Sequence, residues 1–319
     1  MKAKLVSGVV IVGCALWGAA CAQQYPNRAI RFITVGGDDA IPRLVAQALF
    51  GQLGQQVYVE EHAGASGTIG AEAASRAPAD GYTFLVATSA HMVTHHFFKV
   101  SYDILRDFEP VSLLASYPFV LLAHPSLPVA SVADLIKLAQ AKPGQLNYSA
   151  TSAGSPTMLT AELFKTSARV NIVHVPYKSV GAALIDVVAG QVHLCVTSIP
   201  SALPQIQAQR VRALAVSTPN RSMIVPDVPT FAEQGLPKVV TVAWSGLLAP
   251  AKMPPSTIVR MNAEVVKALR RPEVRERIVA LAMEPGGNTP EDFRASMKAD
   301  LDTWAQAVKQ SNIPTLTQR

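Results

Sequence analysis

The chain has little charge, few aromatic rings and almost no cysteine. Charged residues make up 16% of its 319 residues and aromatic residues 6%. The net charge of +6 is spread along the chain without an interleaved aromatic stripe, so no nucleic-acid partner is expected. Beyond the N-terminal segment, no apolar run reaches the ~18 residues that a membrane-spanning helix needs. What remains is long enough for two domains, or one large one, with ample core.

Cysteine is too scarce for a disulfide framework. Cys14 and Cys21 lie in the N-terminal apolar segment, which leaves Cys195 alone in the rest of the chain. It sits in the apolar run 192–196, which is typical of a buried and unreactive thiol. A Cys–His catalytic pair with His193, two residues away on the same strand face, is the alternative.

A secretory signal peptide is predicted over residues 1–22. Lys2 and Lys4 precede the apolar run 5–20, and small residues follow at the cleavage site. The run is too short to span a bilayer, so the segment is expected to be cleaved, leaving a soluble chain outside the cytoplasm. A lipoprotein cleavage box at 11–14 is the alternative, but it leaves an unusually short apolar core.

Short β-branched runs alternate with helical patterns along the rest of the chain. This alternation predicts an α/β fold with parallel sheets covered by helices on both faces. The predicted strands are 30–34, 57–60, 84–87, 146–149, 172–176, 192–197 and 212–216. The predicted helices are 43–52, 67–76, 132–141, 157–166, 181–189 and 201–209. A capping box at Thr289 and an apolar stripe after it predict a C-terminal helix.

Two extended apolar segments, each closed by a proline, are expected to cross between two lobes. They span 117–123 and 239–249. A discontinuous lobe with two hinge strands is the architecture of a clamshell that closes on a ligand. The predicted boundaries are 23–122 plus 246–319 for the first lobe, 123–241 for the second lobe and 242–245 for the return hinge strand.

Glycine-rich and hydroxyl-rich segments follow several predicted strands, at the edge where open α/β sheets bind ligands. They are 36–39, 88–91, 149–155 and 197–198. Ser155 before Pro156 is expected to cap a helix N-terminus, which favours an anion such as a carboxylate. A single such loop is an ordinary turn, but several that converge predict a binding cleft.

Other chemistries have weaker signals. His91 and His95 share a helical face, but no further ligand accompanies them, so no metal site is predicted. The glycines at 64, 67 and 70 have the spacing of an ordinary turn, so no dinucleotide or other cofactor is expected. Serine, histidine and acidic residues are present, but the G-x-S-x-G elbow of secreted hydrolases is not.

Several longer strings match one family. They are Ala79-Asp80-Gly81-Tyr82-Thr83, His174-Val175-Pro176-Tyr177-Lys178, Pro200-Ser201-Ala202-Leu203-Pro204, Arg212-Ala213-Leu214-Ala215-Val216, Pro226-Asp227-Val228-Pro229-Thr230 and Ala243-Trp244-Ser245-Gly246-Leu247. From Tyr25 onward the chain resembles the extracytoplasmic solute receptors of tripartite tricarboxylate transporters, also called Bug receptors. The resemblance implies a type II periplasmic-binding-protein fold, with two α/β lobes joined by two crossing strands and a ligand cleft between them.

The resemblance also implies a function and a set of ligand contacts. Such receptors capture small carboxylates (di- and tricarboxylates, acidic amino acids or aromatic acids) through backbone N–H groups and bridging waters. The contacts carried over by position are Gly36, Gly37, Asp38, Asp39, Thr88, Ser89, His91, Ser149, Thr151, Ala153, Gly154, Ser155, Thr157, Thr197 and Ser198. The expected protein is a monomeric, non-enzymatic periplasmic receptor that works with the membrane subunits of the transporter. A sensor receptor for a signalling system and a secreted hydrolase are the alternatives.

The chain departs from the family pattern at the predicted cleft. The loop after the first strand is shorter, because Thr34-Val35 runs directly into Gly36-Gly37. Thr197-Ser198 stands where the family often has Asp-Asn. Loss of an acidic group from the cleft is expected to favour a more anionic or a less basic ligand.

Overall fold

The computed structural model describes residues 25–35, 39–64, 67–151 and 154–311. The predicted signal peptide and the alternative lipoprotein box lie outside these ranges. So do four of the candidate contact residues, namely Gly36, Gly37, Asp38 and Ala153. Within the described residues, no helix combines the length and the apolar character that a membrane crossing requires.

Strands and helices alternate along the described chain, as the sequence predicts. The strands are β1 (Ile30–Thr34), β2 (Val57–Glu61), β3 (Thr83–Thr88), β4 (Phe108–Ala123), β5 (Asn147–Thr151), β6 (Val173–Tyr177), β7 (Leu194–Ser198), β8 (Arg212–Val216), β9 (Val242–Pro250) and β10 (Glu284–Pro285). The helices are α1 (Ala40–Leu53), α2 (Thr68–Ser75), α3 (His91–Phe97), α4 (Val132–Ala141), α5 (Pro156–Ala168), α6 (Val180–Val188), α7 (Ile199–Gln207), α8 (Pro255–Arg270), α9 (Pro272–Ala280) and α10 (Pro290–Ser311).

Each predicted strand and helix is present, with ends shifted by a few residues. The predicted crossing segment 117–123 is only the second part of β4, which begins at Phe108 and runs for 16 residues. The short helix α3 and the consecutive helices α8 and α9 were not predicted. The N-terminal caps behave as expected, since Ser131 accepts from Asp134 N and Ser155 accepts from Met158 N.

The strands form one hydrogen-bonded series in the order β2-β1-β3-β9-β4-β7-β5-β6. The strands β1, β2 and β3 are parallel to one another, and so are β5, β6 and β7. Between these two groups, the first part of β4 runs antiparallel to β9, and its last part runs antiparallel to β7 on one edge and to β8 on the other. The parallel groups therefore point in opposite directions along β4.

The strand β4 belongs to two sheets. From Phe108 to Pro118 it pairs with β9 in a first sheet, and from Phe119 to Ala123 it pairs with β7 in a second sheet. The chain leaves the first sheet through β4 and re-enters it through β9. The exact boundaries of the two lobes stay a prediction.

Helices cover both sheets and bury three apolar clusters, of which one contains residues of both sheets and the other two belong mainly to one sheet each. On one face of the first sheet, α1, α8 and α9 bury residues such as Leu49, Met261 and Ile278 against Phe32 and Phe84. Apolar residues of the second sheet, including Leu122 and Cys195, pack against α6 and α7.

The C-terminal helix α10 packs against α3, α5, α8 and β4. Its apolar stripe is buried as the sequence predicts, with Phe293, Met297 and Trp304 fully enclosed. The helix thus contacts elements of both sheets, since α5 follows a strand of the second sheet and α3 follows a strand of the first.

A glycine in β9 makes the contact between this strand and α10 possible. A Cβ atom on Gly246 would lie 2.2 Å from Cζ of Phe293, a ring that is itself buried. We therefore expect Gly246→Ala to lower the free energy of unfolding by about 1–3 kcal/mol through overpacking. Urea unfolding would measure the change. The matched control is Gly181→Ala in α6, where a Cβ would meet nothing within 4 Å. Equal stability of the two variants would contradict the prediction.

Candidate ligand-binding site

The register of the sheets brings the carboxyl ends of strands from both sheets to the middle of β4. Thr88, at the end of β3, pairs with Ser245 of β9, which pairs in turn with Ala115 of β4. Ser198, at the end of β7, pairs with Phe119 of β4. Four residues of strand separate these two points, or about 14 Å. The polar loops of both sheets therefore face each other across the short stretch 115–119.

A cavity of about 70 Å³ lies at the first sheet's side of this meeting point. The residues that line it are Thr34, Val35, Asp39, Ile41, Pro42, Val86, Thr88, Ala115, Tyr117, Trp244, Ser245 and Met283. Larger depressions occur on the outer surface, including a groove of about 830 Å³ between α5 and α10. We place the candidate site at the smaller cavity because the strand ends converge there.

Two buried threonine hydroxyls near the meeting point have no hydrogen-bond partner among the described residues. They belong to Thr34, the last residue of β1, and to Thr197 in β7. Their residues are 2% and 1% exposed. Buried polar groups nearly always have a hydrogen-bond partner. Two hydroxyls without one at strand ends therefore indicate a position for a ligand or an ordered water. Thr34 also lines the cavity, although the sequence analysis did not select it.

The cavity carries one acidic side chain at the start of α1. Asp39 lies directly before the helix, and its carboxylate is 3.4 Å from the Arg43 guanidinium one turn later. The Asp39 side chain is only 15% exposed, whereas that of Arg43 is 60% exposed. An exposed ion pair of this length is weak, so it compensates the Asp39 charge only in part.

The loop after β3 is tied to β9 and to its own backbone. The Ser89 N–H donates to the carbonyl of Trp244 at 3.1 Å. The Nδ1 atom of His91 lies 3.1 Å from the backbone nitrogen and from the carbonyl oxygen of Thr88. These contacts fix the turn that presents Thr88 and Ser89 at the cavity edge.

His91 is buried in this loop, and its charge state follows from that burial. Desolvation lowers the pKa of the imidazole, while backbone contacts with Thr88 and Gly67 oppose the shift. The ring is therefore neutral at pH 7 and does not supply a positive charge to an anion. Its role in this geometry is to hold the Thr88 turn.

The loops of the second sheet carry a chain of hydroxyl contacts. Thr151 Oγ1 lies 2.9 Å from Thr157 Oγ1, which lies 3.2 Å from Ser155 Oγ. Gly154 has a φ of +82°, and a Cβ there would lie 2.7 Å from the ring of Phe97 in α3. This close approach needs glycine and brings the loop before α5 against the helix that follows β3.

Two of the predicted contact residues, Ser149 and Ser198, direct their hydroxyls to other parts of the protein. Ser149 is fully buried, and its Oγ donates to the Ala183 carbonyl at 2.9 Å inside the core of the second sheet. Ser198 Oγ lies 2.9 Å from Ser201 Oγ in the first turn of α7. Ser149 therefore stabilises the packing of α6 on β5, and Ser198 contacts the first turn of α7.

The alternative chemistries are not assembled at this site. Burial raises the pKa of the Cys195 thiol to about 11, which leaves it protonated and unreactive. Ser155 Oγ caps α5, and His91 Nδ1 is occupied by Thr88, so these two residues do not form a nucleophile and base. Among the residues that the structure describes, no group of three or more His, Cys, Asp or Glu is arranged to hold a metal ion.

A single serine joins the two segments that cross between the sheets. Ser217, directly after β8, accepts from Phe119 N at 3.0 Å and donates to the Thr241 carbonyl at 2.5 Å. Its own backbone N–H donates to Phe119 O, and its carbonyl accepts from Thr241 N. Thr241 in turn contacts Thr160 of α5 at 2.9 Å between hydroxyl oxygens. The two crossing segments are thus joined by a closed network of buried hydrogen bonds.

The architecture, two α/β sheets with facing strand ends joined by two crossing strands, defines a periplasmic-binding-protein fold, as expected from the sequence. A family model described as "Tripartite tricarboxylate transporter family receptor" matches residues 41–313. The chain therefore belongs to this receptor family, which confirms the resemblance seen in the sequence.

Relatives agree with this assignment over nearly the whole chain. Protein BugT of Bordetella pertussis is 33% identical over 315 residues, which cover 96% of each chain. A solved R. palustris structure with adipate is 34% identical, with a TM-score of 0.77 over 91% of this chain and 99% of that one. The structure of MatC from Rhodopseudomonas palustris with bound malate is 29% identical, with a TM-score of 0.72 over 89% of this chain and 100% of that one.

The Ser217 network generates a stability prediction. Ser217→Ala leaves the buried Phe119 N–H and Thr241 C=O without their side-chain partner, so we expect a loss of about 1–3 kcal/mol in the free energy of unfolding. Chemical denaturation would measure it. The control is Ser296→Ala on α10, where an exposed hydroxyl donates to the carbonyl one turn earlier. A Ser217 variant no less stable than this control would show that the network does not hold the hinge region.

Proposed function

We propose that the protein is a periplasmic receptor that captures a small organic carboxylate and delivers it to the membrane subunits of a tripartite tricarboxylate transporter. Membership in the receptor family supports the transport role. The relatives solved with adipate and with malate support a carboxylate as the ligand. On this proposal the predicted signal peptide 1–22 directs the chain to the periplasm.

The observation that carries the proposal is the pair of unpartnered hydroxyls at facing strand ends. Thr34 belongs to the first sheet and Thr197 to the second. A carboxylate in the cavity offers a hydrogen-bond acceptor to the Thr34 hydroxyl, and we infer that the rest of the ligand, with bridging waters, extends toward the Thr197 hydroxyl. A ligand in this position would contact both sheets, which is how binding favours closure of two lobes.

The size of the cavity suggests how the ligand is placed. About 70 Å³ has room for a carboxylate group or several waters, but not for a whole dicarboxylate. We infer that one carboxylate enters beside Thr34 and Thr88, and that the rest of the ligand extends toward the loops of the second sheet. Backbone N–H groups and hydroxyls then replace an arginine clamp in holding the anion.

Closure would take place about the two crossing strands. In this proposal the first lobe comprises 23–122 and 246–319, the second lobe 123–241, and the return hinge 242–245. The register supports the choice of hinge, since Pro118 pairs with Val242 where β4 passes from β9 to β7. Small backbone changes at this point are enough to turn one sheet relative to the other.

Ligand binding is tested first with the chain from residue 23 and a panel that includes adipate, malate, citrate, glutamate and benzoate. A ligand present at about 100 times its Kd adds about 2.7 kcal/mol of stability, which a thermal shift detects readily. Isothermal calorimetry would then give the affinity, and chromatography of the released ligand would show that it is unaltered. If no compound of the panel raises the melting temperature, or if the bound compound is chemically altered, the proposed receptor function is contradicted.

The absence of an acidic residue in β7 predicts a preference for anions. Thr197→Asp places a negative charge in the cleft, so we expect it to weaken binding of the best carboxylate about tenfold or more. The control is Thr197→Asn, which has nearly the same shape without the charge. Calorimetry on both variants separates the effect of the charge from that of side-chain size. If the two variants bind the carboxylate with equal affinity, Thr197 is not part of the site.

A further inference from the structure

A partly buried carboxylate on the C-terminal helix accepts a hydrogen bond from a tryptophan beside the cavity. The Trp244 indole Nε1 donates to Oδ2 of Asp300 at 2.5 Å. The same indole packs edge-on against Phe293 of α10, with 5.2 Å between ring centroids. The side chain of Trp244 is therefore held by α10 through one polar and one aromatic contact.

The backbone of Trp244 is placed at the candidate site. Trp244 is one of the cavity-lining residues, and its carbonyl accepts the hydrogen bond from Ser89 N in the loop after β3. It also pairs with Ser116 of β4, next to the point where β4 passes from one sheet to the other. A shift of the indole would therefore move β9. This strand supports the Ser89 turn, forms part of the cavity wall and pairs with β4 at the proposed hinge.

We propose that Asp300 is a positioning residue for ligand binding, which acts by fixing Trp244 and with it the β9 segment at the cleft. The inference rests on the proposed function, because it concerns the same cavity. Asp300 does not line that cavity and is assigned no contact with the ligand. Its influence passes through the indole hydrogen bond.

The charge state of Asp300 is expected to change in a useful pH range. Burial raises the pKa of its carboxyl to about 6, and the hydrogen bond from Trp244 opposes the shift. Above that pH the carboxylate is a stronger acceptor for the indole N–H than the neutral acid is below it. Because the folded-state pKa is raised, the carboxyl favours folding at low pH, and this contribution is lost as the pH rises through about 6.

Other ionisable groups lie on the elements packed against α10, and the test must separate them from Asp300. They are His91, His95 and His96 on α3, Glu162 and Lys165 on α5, Glu109 on β4, and Arg260, Glu264, Lys267 and Arg270 on α8. Glu162 pairs with Lys165, and Glu109 pairs with Arg294 of α10. The three histidines titrate nearest to the range of Asp300, with pKa values lowered mainly by burial.

The direct test follows the indole N–H signals by NMR as the pH changes, in the chain from residue 23. That chain has two tryptophans, Trp244 and Trp304, and Trp244→Phe assigns the signals. We expect the Trp244 signal to shift with a midpoint near pH 6 in the wild type and to stay constant in Asp300→Asn. Asp302→Asn, an exposed change on the same helix, is the matched control and should leave the shift intact. A midpoint that persists in Asp300→Asn would assign the titration to a histidine and overturn the proposal.

The functional test measures adipate affinity at pH 7.5 and at pH 5.0. Asp300→Asn keeps only a neutral acceptor for the indole and should bind adipate about two- to threefold more weakly than the wild type at pH 7.5, whereas Asp300→Ala, which has no acceptor, should bind about tenfold more weakly. The ratio of wild-type to Asn affinity should fall at pH 5.0, and this ratio cancels the ligand's own titration. Unchanged affinity in Asp300→Ala would overturn the positioning role. If the wild type binds no carboxylate, the proposed function fails, while the NMR result still stands on its own.

Discussion

The whole architecture depends on one strand that takes part in two sheets. Over its 16 residues, β4 exchanges its partner β9 for β7 and β8 between Pro118 and Val120. Because β7 runs antiparallel to β4, the carboxyl ends of the second sheet are turned back toward those of the first. A clamshell made of two independent sheets would need a flexible tether to do this. Here a continuous ladder of backbone hydrogen bonds through β4 fixes this arrangement.

The local part of this fold could be predicted from the sequence, because strands and helices leave periodic signals. Two of the missed elements have physical reasons. Pro110 and two irregularities in the β4–β9 register interrupt the alternation of the first half of β4. Helix α8 does carry a periodic signal, since Met261, Val265 and Leu269 are buried at helical spacing, and it could have been predicted. Helix α3 has only seven residues, and so short a segment is fixed by packing rather than by its own pattern.

The candidate site was predictable to the extent that it follows the rule of strand ends. Asp39, Thr88 and Ser149 were all selected on that ground. Asp39 and Thr88 do line the cavity, whereas the Ser149 hydroxyl donates to the Ala183 carbonyl inside the core. Tyr117 and Trp244 were missed as wall residues because they lie in the middle of strands. Their presence at the site follows only from the order β3-β9-β4, and that order is a long-range property that no local pattern encodes.

The near absence of charge from the proposed cleft has a thermodynamic consequence. An arginine that held a carboxylate would have to be desolvated with it, and a buried pair of that kind gains little net free energy. Hydroxyls such as Thr34 and Thr197 cost less to bury but still lack partners without a ligand. Since they stand on opposite sheets, a ligand bound as proposed would stabilise a closed arrangement more than an open one. Closure would then be favoured by hydrogen bonds that are completed only when both sheets contact the ligand, and loss of these bonds would favour release.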